Sequence, residues 1–177
     1  IVVVMDVSNT MIQYNVDNNL KNDFEKYEAG KAGDTTRYAT AITAATKFIE
    51  EFAGYSAGLG DNVVRKIGYV AFNTNAHKIF DLSTCKTDTE ADNLIAEMKA
   101  DTEAIVEEQG YREKNTRYTN IEAGLAMAGD MLAKAGTLDN KYIIFLSDGL
   151  PTTYIKTGYT GYVPVTSSGS ESKPGYF

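Results

Sequence analysis

Residues 2–11 read VVVMDVSNTM, and the reading of this stretch decides the fold. Its first half is an unbroken apolar, largely β-branched run, the pattern of a strand buried on both faces. The run stops on an acid, Asp6, and hydroxyls follow at alternate positions, Ser8 and Thr10. If the extended course continues past the strand, positions i, i+2 and i+4 point the same way, and one carboxylate and two alcohols converge. Hard oxygens gathered in this way suit Mg²⁺, Ca²⁺ or Mn²⁺. The same residue types at a strand end also make turns and cap helices, so the pentapeptide alone supports both readings.

Working outward, KYIIFLSDG at 141–149 repeats the theme: an apolar strand that ends on an acid, Asp148. Between the two lie segments of helical period. The first covers about 37–53, with Tyr38, Ile42, Ala45, Ile49 and Phe52 on one face, and Gly54, Gly58 and Gly60 ending it. A second spans 87–99, with Leu94, Ile95 and Met98 inward. A third, TNIEAGLAMAGDMLAKAG at 119–136, repeats Ile121, Leu125, Ala128, Leu132 and Ala135. Its Thr119 and Glu122 have the spacing of a capping box. NVVRKIGYVAFNT (62–74) and AHKIFDLS (76–83) read as two strands joined by a tight turn at Asn73–Asn75. Residues 12–36 are polar and without period, an irregular excursion. Residues 100–117 either extend the second helix or form another excursion. Strands alternating with helices predict an α/β fold: a doubly wound, mostly parallel central sheet flanked by helices. Ligands of such sheets bind beyond the carboxyl ends of the strands, where Asp6 and Asp148 stand.

The chain has 177 residues, enough for one domain with a sizeable core. A net charge of -7 argues against nucleic acid or an anionic membrane as partner, and is compatible with a divalent cation. No apolar run is long enough to span a bilayer. One cysteine, Cys85, allows no internal disulfide; one histidine, His77, argues against a His/Cys zinc site. Cys85 reads as a passive small residue, since no acidifying partner is evident.

Taken together, DVSNT, Thr119 before a helix and Asp148 in LSDG resemble the metal-ion-dependent adhesion site of von Willebrand factor A domains. TTRYATAITAATKFIEEF is similar to that family's first helix, and VVRKIGYVAFNTNAHKIFDLS to its second and third strands. The resemblance covers roughly 1–150 within a single domain over 1–177, with insertions near 12–36 and 100–117. The family's final strands and helices are not recognisable, so the domain reads as incomplete at its C-terminus, and the chain as part of a larger multidomain protein. The resemblance implies a Mg²⁺ site, with Mn²⁺ or Ca²⁺ as alternatives. Ser8, Thr10 and Thr119 would contact the cation through hydroxyls, and Asp6 and Asp148 mostly through waters. A partner's acidic side chain would complete the coordination. Thr10 stands where the family pattern has serine, and the hydroxyl is retained.

The insertions, the acidic Tyr-rich composition and the absence of a disulfide resemble pilus-tip and cell-wall adhesins of Gram-positive bacteria. That implies a non-enzymatic module on the bacterial surface, binding a host or extracellular-matrix protein. Tyr14, Tyr27 and Tyr111 are candidate ligand contacts in the insertions, because aromatic residues anchor interfaces well. Two alternatives remain. One is an intracellular assembly module of the same family. The other is a phosphatase of the haloacid dehalogenase type, whose DxDxT differs from DVSNT by one residue. There Ser8 would replace the acid that works as general acid and base, which a hydroxyl cannot do at neutral pH.

Overall fold

A computed structural model describes residues 1–12, 14–16, 19–21, 36–60, 63–111, 118–137, 140–149, 151–155 and 162–164. The first strand, β1 (Val2–Asp6), is buried along its whole length and forms the middle of the molecule. It pairs in parallel with β4 (Lys66–Phe72) on one side and β6 (Ile143–Leu146) on the other. β5 (Ala76–Thr84) adds antiparallel to β4, giving a four-stranded sheet in the order β5-β4-β1-β6. The β4–β5 connection is the expected tight turn. Asn73 accepts the Asn75 N–H on its side chain at 3.0 Å and donates its own N–H to the Asn75 carbonyl at 2.9 Å.

The continuous apolar run of β1 serves two cores. Val3, Met5 and Val7 pack with Ile49 and Phe52 of α1 (Arg37–Ala57) and with Leu94, Ile95 and Met98 of α2 (Asp88–Tyr111). Val2 and Val4 face the other way, onto Ala128, Met131 and Leu132 of α3 (Ile121–Ala133). A strand with helices on both faces has no wet side, which is why it shows no polar alternation. The structure is therefore a mixed four-stranded sheet flanked by three helices, the α/β architecture expected. Two short antiparallel ribbons stand apart from this sheet: β2 (Tyr14–Val16) with β3 (Asn19–Lys21), and β7 (Thr153–Ile155) with β8 (Tyr162–Pro164).

Several details differ from the sequence reading. α1 runs through Gly54 to Ala57 and is capped at Gly58: a glycine inside a helix costs only about 1 kcal/mol, and Phe52, Ala53 and Ser56 on either side of it are buried. β4 begins at Lys66, and Val63 and Val64 before it are exposed. α2 continues past 99 to Tyr111, so most of 100–117 extends the helix; 112–117 lies outside the described residues, as do much of 12–36 and the tail from 165. The inward stripe of α3 is rotated. Leu125 is 39% exposed, whereas Ala123, Gly124, Ala128, Met131 and Leu132 are buried. The helix lies so close to the sheet that a Cβ on Gly124 would stand 2.8 Å from a ring carbon of Phe72 and 3.1 Å from Val4. Small residues mark that contact, and a search for bulky apolar residues misses it. β6 is an edge of the described sheet, so Ile143 and Phe145 remain partly exposed, although Phe145 stacks on Phe72 at 5.6 Å.

Candidate metal site

The carboxyl ends of β1 and β6 and the start of α3 meet at one edge of the sheet. Asp6, the last residue of β1, is fully buried. The chain does not continue extended beyond it: it turns into a 3-10 helix over Asn9–Ile12. Asp6 itself builds that turn, its Oδ1 accepting the Ser8 N–H at 2.8 Å, and the Met11 N–H closes on the Ser8 carbonyl at 3.0 Å. Ser8 and Thr10 still converge, but through turn geometry rather than the pleat of a strand. The two sequence readings of DVSNT, turn and oxygen cluster, thus hold together.

Thr119 lies two residues before α3. The capping box does not form around it. Asn120 is the N-cap, its side-chain oxygen accepting the Ala123 N–H at 3.1 Å while its Nδ2 donates to the Thr74 carbonyl at 3.0 Å. Asparagine is among the best N-caps, so this was a signal the spacing of Thr119 and Glu122 obscured. With the cap supplied next door, the Thr119 hydroxyl is left to donate to Ser8 Oγ at 2.9 Å. The Thr119 backbone is fixed as well. Its N–H donates to Thr152 Oγ1 at 2.8 Å, and its carbonyl accepts the Thr152 N–H at 2.9 Å. Beside it, the Tyr118 N–H donates to Thr74 Oγ1 at 3.0 Å.

A chain of side-chain hydrogen bonds runs across this edge. Thr119 donates to Ser8, Ser8 and Thr10 lie 3.4 Å apart, and Thr10 donates to Asp148 Oδ1 at 2.9 Å. Each hydroxyl has one proton. Those of Thr119 and Thr10 are committed, so the proton between Ser8 and Thr10 belongs to Ser8. All three protons then point toward the Asp148 end, and each hydroxyl oxygen keeps a lone pair for another acceptor-seeking group. Asp148 is held from its other oxygen by Arg37, whose Nη1 donates to Oδ2 and, at 3.3 Å, to the Thr10 carbonyl. Asp6 Oδ2 accepts the Ser147 hydroxyl at 2.6 Å.

The structure therefore brings together Asp6, Ser8, Thr10, Thr119 and Asp148, residues far apart in sequence. Sequence reasoning missed Ser147, which sits in the quoted LSDG, and Arg37, for which spacing gives no sign. Of the three tyrosines, Tyr14 contributes backbone to β2 and Tyr111 ends α2; their side chains, and Tyr27 entirely, lie outside the described residues.

The electrostatics are uneven. Burial pushes the Asp6 carboxyl above its ordinary range, the hydrogen bonds from Ser147 and Ser8 pull it back, and the charge of Asp148 adds to the rise. Among the described residues its donors are neutral, which leaves the buried anion short of positive charge there. The donor set fits a hard divalent cation: three hydroxyls and two carboxylates, without a soft ligand. Among the described residues, no three His, Cys, Asp or Glu side chains cluster, so a site built mainly of such ligands has no counterpart there. Cys85 is buried, and burial followed by the charge of Glu90 raises its thiol pKa, the opposite of a reactive cysteine.

Residues 1–150 match the von Willebrand factor type A domain family. No curated protein matches the chain. Among solved structures it is similar to the von Willebrand factor domain of a type V pilus tip protein from Porphyromonas gingivalis, at 20% identity and TM-score 0.53 over 90% of this chain. It is also similar to an adhesive tip pilin from group B Streptococcus agalactiae, at 17% identity and TM-score 0.54 over 86% of this chain. A third is a pilus adhesin from Streptococcus pneumoniae, at 16% identity and TM-score 0.55 over 90% of this chain. The chain spans 41%, 46% and 22% of those three structures, so it corresponds to less than half of each. No helix among the described residues is long and apolar enough to cross a membrane.

Proposed function

The chain belongs to the von Willebrand factor type A domain family, and from that premise we propose that it is a metal-dependent adhesion module. Ser8, Thr10 and Thr119 would hold Mg²⁺, or Mn²⁺ or Ca²⁺ in its place, through hydroxyl oxygens. Asp148, which accepts the Thr10 hydroxyl, and Asp6, which accepts the Ser8 N–H, would stand behind them and balance the charge. When bound, the cation supplies an electrophilic position that an acidic side chain of a protein partner completes. The observation that carries this reading is the one-way run of hydrogen bonds from Thr119 through Ser8 and Thr10 to Asp148. Each hydroxyl in that run retains a lone pair at the same edge of the sheet.

The module is not an enzyme on this reading. The position a phosphatase of the haloacid dehalogenase type gives to its general acid is Ser8. Asp6, which would be the nucleophile, is fully buried with both oxygens engaged. Fold similarity to bacterial pilus tip proteins supports a place on the cell surface; the proposal adds a longer multidomain chain and a host or matrix protein as partner. Tyr14, Tyr27 and Tyr111 would then contribute contacts around the metal. Isothermal titration of Mg²⁺ and Mn²⁺ into chelator-treated protein, wild type beside Asp6→Ala, tests the reading. One-to-one binding that the variant loses is the expected result; a folded wild type that binds neither ion overturns it.

A further inference from the structure

The geometry points to Arg37 as a built-in counter-ion that competes with a divalent cation for Asp148 and thereby sets the affinity of the site. The inference rests on the cation reading above. Arg37 is the first residue of α1, directly after the N-cap Thr36. A positive side chain there opposes the helix macrodipole, whose positive end lies at the N-terminus, and no acid in the first turn offsets it. Helix stability therefore does not account for an arginine at 37. What it does instead is bridge two segments of the site. Its Nη1 donates to Asp148 Oδ2 beyond β6 and to the Thr10 carbonyl in the turn after β1. Asp148 has only 10% of its side chain exposed, while Arg37 is 45% exposed and reaches it from the solvent side.

The run of hydroxyls ends on Asp148 Oδ1, so the carboxylate is shared between Thr10 and the guanidinium. A cation held by Ser8, Thr10 and Thr119 draws on the same negative charge. Two positive groups beside one carboxylate weaken each other, and by linkage the effect is reciprocal: whatever factor Arg37 costs the cation, the cation costs the Arg37–Asp148 pair. Because Arg37 is partly exposed, the coupling is modest and falls with salt.

The test compares Mn²⁺ titrations of four chelator-treated proteins: wild type, R37Q, R37K and K47Q. Lys47 is an exposed residue of the same helix, ten positions beyond Arg37, so its loss reports net charge alone. R37Q is expected to bind Mn²⁺ about fivefold more tightly than wild type. R37K, which keeps the charge without the planar fork, should fall between them, and K47Q should match wild type. The advantage of R37Q should narrow as ionic strength rises. R37Q should also lower the melting temperature more in the metal-free protein than in saturating Mn²⁺. Equal binding by wild type and R37Q would overturn the counter-ion role and leave the cation site standing. Equal tightening by K47Q and R37Q would overturn it too, since bulk charge would then explain the gain. No binding by any of the four would overturn both readings.

Discussion

Asp6 ends β1 and Asp148 lies two residues beyond the neighbouring parallel strand β6; they belong to one cluster, yet the protein treats them oppositely. Asp6 is fully buried and supported by two neutral donors, the Ser8 N–H and the Ser147 hydroxyl. Asp148 is nearer the surface and has a guanidinium of its own. Among the described residues the outer carboxylate has a counter-charge and the inner one has none, and burial raises the inner one's pKa. An uncompensated buried carboxylate is costly. Its presence at the end of the central strand is understandable if a positive charge arrives from outside. The contrast separates what the fold requires from what the ligand requires.

The largest expected effect breaks this contrast at its inner end. Asp6→Asn keeps the shape, can still accept the Ser8 N–H, and can donate to Ser147. Divalent-cation affinity should fall on the order of 100-fold, in line with loss of a charged group behind the metal ligands. Metal-free stability should stay level or rise by about 1 kcal/mol, because the unpaired buried charge is gone. Asp148→Asn should act with the opposite sign on stability, lowering it by about 0.5 kcal/mol through loss of a partly exposed ion pair. Titration calorimetry and thermal melts of the two variants, side by side, check both signs. A D6N protein less stable than D148N would refute the proposed asymmetry.

Thr119→Ala comes next. It removes one proposed ligand and the donor to Ser8 while Asn120 continues to cap α3. Cation affinity should fall about tenfold, with a stability loss of about 1 kcal/mol from the missing hydrogen bond. Thr119→Ser should restore most of the affinity. If Thr119→Ala instead cost chiefly helix content, measured by circular dichroism, the hydroxyl would be a cap after all.

How much of this was legible in the sequence follows from the range of the forces involved. β1 was readable because burial on both faces leaves an unbroken apolar run. The inward face of α1 was readable because Tyr38, Ile49 and Phe52 are large. α3 was misread at Leu125 because its contact with Phe72 and Val4 is made by Gly124, and close approach selects the absence of a side chain. The cluster oxygens were legible through a family pattern at strand ends. Arg37 was not, since an ion pair across 111 positions leaves no periodic mark.

Ser147→Ala sharpens the comparison more gently. It removes one of the two neutral donors to Asp6 and should cost about 1 kcal/mol, and the Asp6 carboxyl should titrate at still higher pH. A melt that shows no loss would mean that water replaces the hydroxyl and that Asp6 is less isolated than its burial implies.

The smallest effect is the pH dependence that the raised Asp6 pKa imposes. In the unfolded chain the group ionises near 3.8, and in the native state above that. Between the two, the native state holds a proton that the unfolded state has released. Stability from this group is therefore complete below 3.8 and is lost as pH rises through the native value. A cation must displace that proton, so affinity should weaken as pH falls through the same window, and bound metal should flatten the profile. The difference between wild type and D6N isolates this term from the other carboxylates. Metal-free wild type should gain on D6N as pH is lowered from 7 toward 4, and in saturating Mn²⁺ that gain should vanish. A wild type that instead loses ground to D6N on acidification would mean that the Asp6 carboxylate already has its counter-charge within the chain, leaving a cation no vacancy to fill.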